Sequence, residues 1–386
     1  MKKKSILFPI CLHMWEFLCI FAHCFCNYTD MANVTYYIGA GASAGKRSKD
    51  SWITEGLPVV NEITGRLGDY LHRIRQAKFQ DGDRDWNAPH FGLVGKAAWE
   101  NAKQRLEASL ERLYNACLRN ATIDTYAKKL VLQGKDEEFE HLERMLTWYF
   151  VLEQVMCEPD SRYDTFLANI IEDLNRFPSH VKVLSWNYDS QFEIAYDEYQ
   201  SGHLLNIGSK QSTKYQEFDI LKINGSATFK GTELIPAYRR SLQKQIQKQK
   251  NPNDVGYFTD VINSILPDIV CLYHMFVGEI NPTVKNTTNL SFAFDYNEPS
   301  DVLYQRADEI IQATEVLVII GYTFPYFNRK IDRKLLDLLD PDTEIYIQDM
   351  NPERVKQSFL AVCPSVKDHK IHLLREVDQF FLPPQL

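Results

Sequence analysis

The sequence predicts an α/β protein, a Rossmann-like parallel sheet that carries large helical insertions. Three observations predict it. First, five short apolar runs, at 34–38, 181–186, 220–223, 316–320 and 344–347, each end in a polar or glycine cluster. Runs that are nearly apolar throughout, rather than alternating, suit strands covered on both faces. Second, the stretches between them carry apolar residues at helical spacing. Third, the first run leads into Gly39-Ala40-Gly41-Ala42-Ser43-Ala44, with the G-x-G-x-x-A spacing of a dinucleotide-binding turn. Glycine lets the backbone bend sharply there, and amides at a helix start can face a pyrophosphate. A plain strand-to-helix turn would leave the same trace.

Residues 1–30 join Lys2-Lys3-Lys4 to an apolar stretch broken by His13, Glu16 and His23. A charged start and an apolar run suggest a signal peptide or an anchor. A glutamate inside a membrane span is costly, however, and no A-x-A cleavage site follows. The expectation is that the working chain starts at Met31, that residues 31–386 form one domain, and that deleting 1–30 leaves the fold intact. After the strand at 34–38 comes a polar loop, 46–55, and then Gly56-Leu57-Pro58. Helical spacing begins at Val60, with Ile63, Leu67, Tyr70 and Leu71 on one face.

A charged loop spans 80–89, and helices are expected over 106–118, 139–156 and 166–177. The second of these carries the stripe Leu142, Met145, Leu146, Tyr149 and Leu152. This first insertion, about 66–178, reads as a cap over the sheet edge that also closes a pocket. A short helix over 191–196 follows the second strand. The second insertion, about 233–289, contains the basic segment 238–251, which reads as a solvated helix face. A strand at 291–294, helices at 304–313 and 327–339, and a strand from His372 complete the pattern.

Composition is that of an ordinary globular protein, 45% hydrophobic and 24% charged. A net charge of −8 gives no general basic footprint, so no direct nucleic-acid partner is expected. The eight cysteines form no C-x-x-C pair, so no structural metal is expected. Scattered cysteines in the body suit a reduced, cytoplasmic protein, and no membrane association is expected.

Taken in order, the strand ends resemble the sirtuin-like family. Gly39-Ala40-Gly41-Ala42-Ser43 matches its first turn, Gly56-Leu57-Pro58 its following loop, and Asn187-Tyr188-Asp189 its central N-x-D motif. The segment 320–324, with Gly321 and Thr323, matches its late glycine turn, and Asn351 falls where an asparagine meets the adenosine side. The large insertions and missing zinc cysteines look more like the bacterial anti-phage defence branch than like protein deacylases. The resemblance implies NAD⁺ as ligand and substrate, and hydrolysis to nicotinamide and ADP-ribose that depletes NAD. It also implies a homo-oligomer or a defence partner such as an ATPase or an Argonaute-like protein.

Two departures stand out. Asn224, in Lys222-Ile223-Asn224-Gly225-Ser226, replaces the family's catalytic histidine, and Val59 follows Pro58 where deacylases place an aspartate.

The resemblance therefore gives Asn187, Asp189 and Asn224 as catalytic candidates. It gives Gly39, Ala40, Gly41, Ser43, Pro58, Gly225, Ser226, Gly321, Thr323 and Asn351 as binding candidates. Cleavage at the nicotinamide–ribose bond passes through an oxocarbenium-like state. Asn187 can orient a water or the ribose, and Asp189 can accept from the carboxamide. Asp189 serves equally as an Asx-turn or helix cap, and Ser43 as a cap or a phosphate contact. Asn187, beyond a buried strand, is expected to add little stability, and Gly225 to leave room beside Asn224. His274 is a half-buried helical histidine or a replacement base, and His180 lies at the wrong sheet edge. The alternative to hydrolysis is a catalytically weak NAD or ADP-ribose module acting as sensor or assembly partner. The spacing lacks the acidic ribose partner of an ordinary dehydrogenase.

Overall fold

A computed structural model describes residues 32–46, 55–82, 84–172, 177–199, 207–208, 218–229, 242, 246, 256–278, 288–295 and 302–386. The leader, Met31, most of the 46–55 loop and most of the basic segment 238–251 lie outside the described residues.

The apolar runs form a seven-stranded, all-parallel sheet. Its strands are β1 (Val34–Ile38), β2 (Val181–Ser185), β3 (Ile207–Gly208), β4 (Ile220–Lys222), β7 (Val316–Ile320), β8 (Glu344–Gln348) and β9 (Ile371–Leu374). The spatial order is β3-β4-β2-β1-β7-β8-β9. From β1 the chain builds outward through β2 and β4, then crosses to β7 on the other side. The β1/β7 seam is thus a switch point, where open α/β sheets bind ligands beyond the carboxyl ends. Since every pair is parallel, all these polar strand ends share one edge.

Alternate residues of the central strands feed two cores. Val34, Tyr36, Ile38, Val316 and Val318 face one side, packed against α5 (Ser161–Ile170) and α6 (Gln191–Asp197). Tyr37, Leu184, Leu317 and Ile319 face the other, under α8 (Val302–Gln312), α9 (Arg329–Leu336) and α10 (Pro352–Val362). A third core belongs to the cap. It joins α1 (Ile63–Gln76), α2 (Lys96–Arg119), α3 (Ile123–Leu132), α4 (Asp136–Met156) and α7 (Tyr257–Phe276). An antiparallel pair, β5 (Gly225–Phe229) and β6 (Thr288–Leu290), packs on α4. Among the described residues no helix is long and apolar enough to cross a membrane.

Several boundaries differ from expectation. Val60 is exposed, and the helix expected to begin there starts at Ile63. The helix expected to reach residue 177 stops at Ile170. Phe177 mimics the spacing but packs on Phe192 and Tyr196 as the chain enters β2. The strand expected at 291–294 is instead β6, at 288–290, followed by a 3-10 turn, Ala293–Asp295. There Phe292 and Phe294 stack on each other, at 5.2 Å, instead of extending a ladder.

Candidate functional site

The first turn is a four-residue 3-10 segment, Ala40–Ser43, and among the described residues the next α-helix begins at Ile63. Residues 44–46 directly after the turn are not helical, so the turn does not run straight into an α-helix whose start would face a pyrophosphate. Its glycines serve a different contact. A Cβ on Gly39 or Gly41 would fall 2.7 Å from Gly321 backbone atoms. Gly321 itself has φ +59, and a Cβ there would meet the Gly41 carbonyl carbon at 2.4 Å. The ends of β1 and β7 thus touch backbone to backbone at the switch point, sealed by Gly41 N–H donating to Gly321 O at 3.0 Å. Only glycine at both positions permits this approach.

Around that junction the chain gathers the predicted polar residues. Asn187 Nδ2 donates to Gly39 O at 3.0 Å and to Ser43 Oγ at 3.3 Å. Ser43 Oγ lies 2.9 Å from Tyr163 Oη and donates to Asp189 Oδ1 at 3.1 Å. Ser43 therefore holds Asn187 and Asp189 in place, and the cap of the turn is Gly39, not Ser43. Asp189 Oδ1 also accepts from Gln191 N at 3.0 Å, so its turn-forming role is present along with its place in the cluster. Burial pushes the Asp189 carboxyl above its ordinary pKa, opposed by the Lys222 ammonium. Lys222 Nζ donates to the Asp189 carbonyl and pairs with Glu193 at 3.1 Å. Asn187 is buried in these bonds, so it contributes to stability, contrary to the sequence-based expectation.

Asn224 is 7% exposed; its Nδ2 reaches Trp186 O at 3.4 Å, and its buried Oδ1 has no donor among the described residues. Gly225, at φ +70, leaves no room beside it: a Cβ there would fall 1.9 Å from Asn289 O in β6. Ser226 Oγ is within 2.9 Å of Thr228 Oγ1, in β5. Pro58 is buried behind the first turn, where Leu57 N donates to Ser43 O at 2.7 Å. Thr323 and Asn351 meet elsewhere, in a cavity of about 340 Å³ with Arg329, Arg354, Asp349 and Tyr326. Asn351 also caps α10, accepting from Arg354 N at 3.4 Å. Asn187, Asp189 and Asn224 do not line that cavity.

The cap closes over the 187–190 loop. Gln154 Oε1 accepts from Ser190 N at 2.6 Å, and Phe150 lies against Tyr188, rings 5.7 Å apart. His274 sits within the cap beside Arg105, with its pKa lowered mainly by burial. Among the described residues no contact links His274 to Asn187, Asp189 or Asn224. His180 is at the amino ends of the strands, where its carbonyl accepts from Val34 N.

Sequence reasoning missed a clamp just before and within α5. Asp160 accepts from Gly45 N at 2.8 Å and from Arg162 at 2.5 Å. Arg162 Nη2 donates to the Gly41 and Ala42 carbonyls at 3.0 and 3.2 Å. It missed also the stack of Trp186 on Tyr322, 5.5 Å apart and nearly parallel.

Beneath that stack lies Asp332, wholly buried, which accepts from Tyr37 at 2.6 Å and Tyr322 at 2.9 Å. Burial raises its pKa to about 7, against the two tyrosine bonds that lower it. The folded state therefore keeps a proton that the unfolded chain releases near its ordinary carboxylate pKa. Stability should be full at low pH and fall by about 1.4 kcal/mol per pH unit between roughly pH 4 and 7. Denaturant melts of wild type and Asp332→Asn across that range check this. The wild type should lose stability as pH rises, and the variant curve should be flatter.

Compared with known proteins, the chain matches no protein-family model and no curated protein sequence.

Proposed function

We propose that the chain is a cytoplasmic, sirtuin-like protein that binds NAD⁺ at the carboxyl edge and hydrolyses its nicotinamide–ribose bond slowly. Water adds to the ribose carbon as nicotinamide leaves, giving ADP-ribose and a proton. The observation that carries the reading is the buried Oδ1 of Asn224, which has no donor among the described residues, next to the Asn187–Ser43–Asp189 cluster. A buried acceptor without a donor is costly, and a ribose hydroxyl would satisfy it. An amide can accept that hydrogen bond but cannot take the proton. Hydrolysis thus proceeds without a general base at this position, a group worth about 10²–10⁴ in rate. In a cell the activity suits NAD depletion in bacterial anti-phage defence. It would be raised by self-association or by a partner such as an ATPase or an Argonaute-like protein.

Asn224→His tests the reading. It should raise nicotinamide release at least tenfold, with NAD⁺ affinity little changed. If the folded variant binds NAD⁺ but releases no nicotinamide, the hydrolase reading fails. One observation favours a second reading, an NAD or ADP-ribose sensor that does not turn over: no titratable group stands at position 224. Calorimetric binding without any nicotinamide release would select it.

A further inference from the structure

The cap contains a second cavity, about 890 Å³ in volume, that shares no residue with the strand-edge cluster or with the cavity at Thr323. Arg105, Ser109 and Arg112 of α2 line one wall. Their i, i+4, i+7 spacing puts them on one stripe of the helix. His141 and Arg144 of α4 face them, and Tyr273 of α7 lies between.

A chain of hydrogen bonds that contains no carboxylate fixes this wall. Tyr273 Oη donates to Arg105 O at 3.2 Å and lies 2.9 Å from Ser109 Oγ. Arg112 Nη2 donates to Ser109 Oγ at 3.1 Å and reaches His141 Nε2 at 3.3 Å. Arg144 Nε donates only to a backbone carbonyl, that of Glu140. Among the described residues none of the three guanidiniums is matched by a carboxylate, whereas Arg75 pairs with Glu111 and Arg375 with Glu353. Burial, with Arg112 and Arg144 adding, lowers the His141 pKa to about 4, so its ring is neutral near pH 7. Arginine only donates, so Nε2 is the acceptor and Nδ1 carries the ring proton.

The cavity is not a plain anion hole. Glu137, Glu138 and Glu140 of α4 also line it, with Glu138 held by Lys135 at 3.1 Å, and Tyr126 adds an aromatic ring. Carboxylates there would repel a bare anion but accept from hydroxyl or amino groups. The volume falls in the range of about 300–1,000 Å³ common for small-molecule sites. Guanidiniums from both α2 and α4, carboxylates of α4 and an aromatic ring match a ligand that has phosphate, hydroxyls and a flat base.

We propose that this cap cavity binds a nucleotide. The phosphates lie on Arg105, Arg112 and Arg144, the sugar or base donors on Glu137 and Glu140, and the base against Tyr126. The proposal does not depend on the reading of the strand edge. Photolabelling of the full chain with 8-azido-ADP tests it. Label should appear in peptides covering 105–126 or 137–145, and Arg112→Ala/Arg144→Ala should reduce it there at least tenfold. Label confined to peptides covering 321–354, or cap label unchanged in a folded double variant, overturns the proposal. A second measurement needs no variant: inorganic pyrophosphate should displace the cap label at least tenfold better than adenosine does. The reverse order, or displacement by neither, also overturns it.

Discussion

Replacing Asn187 with alanine is expected to lower NAD⁺ cleavage by about 10²-fold or more. Its amide is fixed by Gly39 O and Ser43 Oγ, and no donor among the described residues reaches its Oδ1. That oxygen is the group available to orient a water or a ribose hydroxyl. Loss of one positioning contact commonly costs on this scale. The substitution also strips a hydrogen bond from buried Gly39 O, so stability should fall by about 1–3 kcal/mol. Nicotinamide release and a denaturant melt on the same sample separate the two effects. Full turnover in the variant would contradict the role given to Asn187. Complete unfolding would show that its bonds to the turn dominate.

The second large effect is expected in the cap. Arg66 and Glu153 form a two-pronged ion pair at 2.8 and 3.0 Å, 5% and 0% exposed respectively. Arg66 also lies over the Phe258 ring at 5.2 Å. Arg66→Ala leaves a buried carboxylate without its cation and should cost about 3–5 kcal/mol. Arg66→Met/Glu153→Leu should cost less than the single change, because neither charge is then stranded. Denaturant unfolding measures both. A single-variant cost under about 1 kcal/mol would show that Glu153 relaxes to water. Glu153 neighbours Gln154, which holds the Ser190 amide, so the single variant should also loosen the 187–190 loop.

How much of this was readable in the sequence depends on range. The parallel strands were legible because burial on both faces makes each one an apolar run that must end where the polar edge begins. Lys222 stands in one of these runs, and it proves to be the cation behind Asp189. The short β3 and β5 were missed, and β6 was expected three residues too late. In β5, Gly225–Phe229, the half-buried Ser226 and Thr228 alternate with buried residues, a pattern too brief to distinguish from a loop. The α10 helix carried a readable signal, Asn351 as cap with Pro352 at the first turn.

The candidate cluster was legible as a set of residues but not as a set of bonds. Ser43 reads as a phosphate contact or a cap, yet its hydroxyl is occupied by Tyr163 and Asp189, 120 and 146 positions away. Nothing local announces such partners. The same holds for Arg162, which straps the first turn across 121 residues. Gly39 and Gly41 fit a ligand-binding turn in the sequence, but their partner in space is the backbone of Gly321. Spacing motifs report that a close approach occurs, not what approaches.

The central claim is that the strand edge around Asn187 and Asn224 takes NAD⁺. Titrating NAD⁺ into the full-length protein by calorimetry, with nicotinamide release followed on the same sample, tests it most directly. The account predicts saturable binding, slow release, and loss of that release in Asn187→Ala. A folded protein that neither binds NAD⁺ nor releases nicotinamide would contradict it.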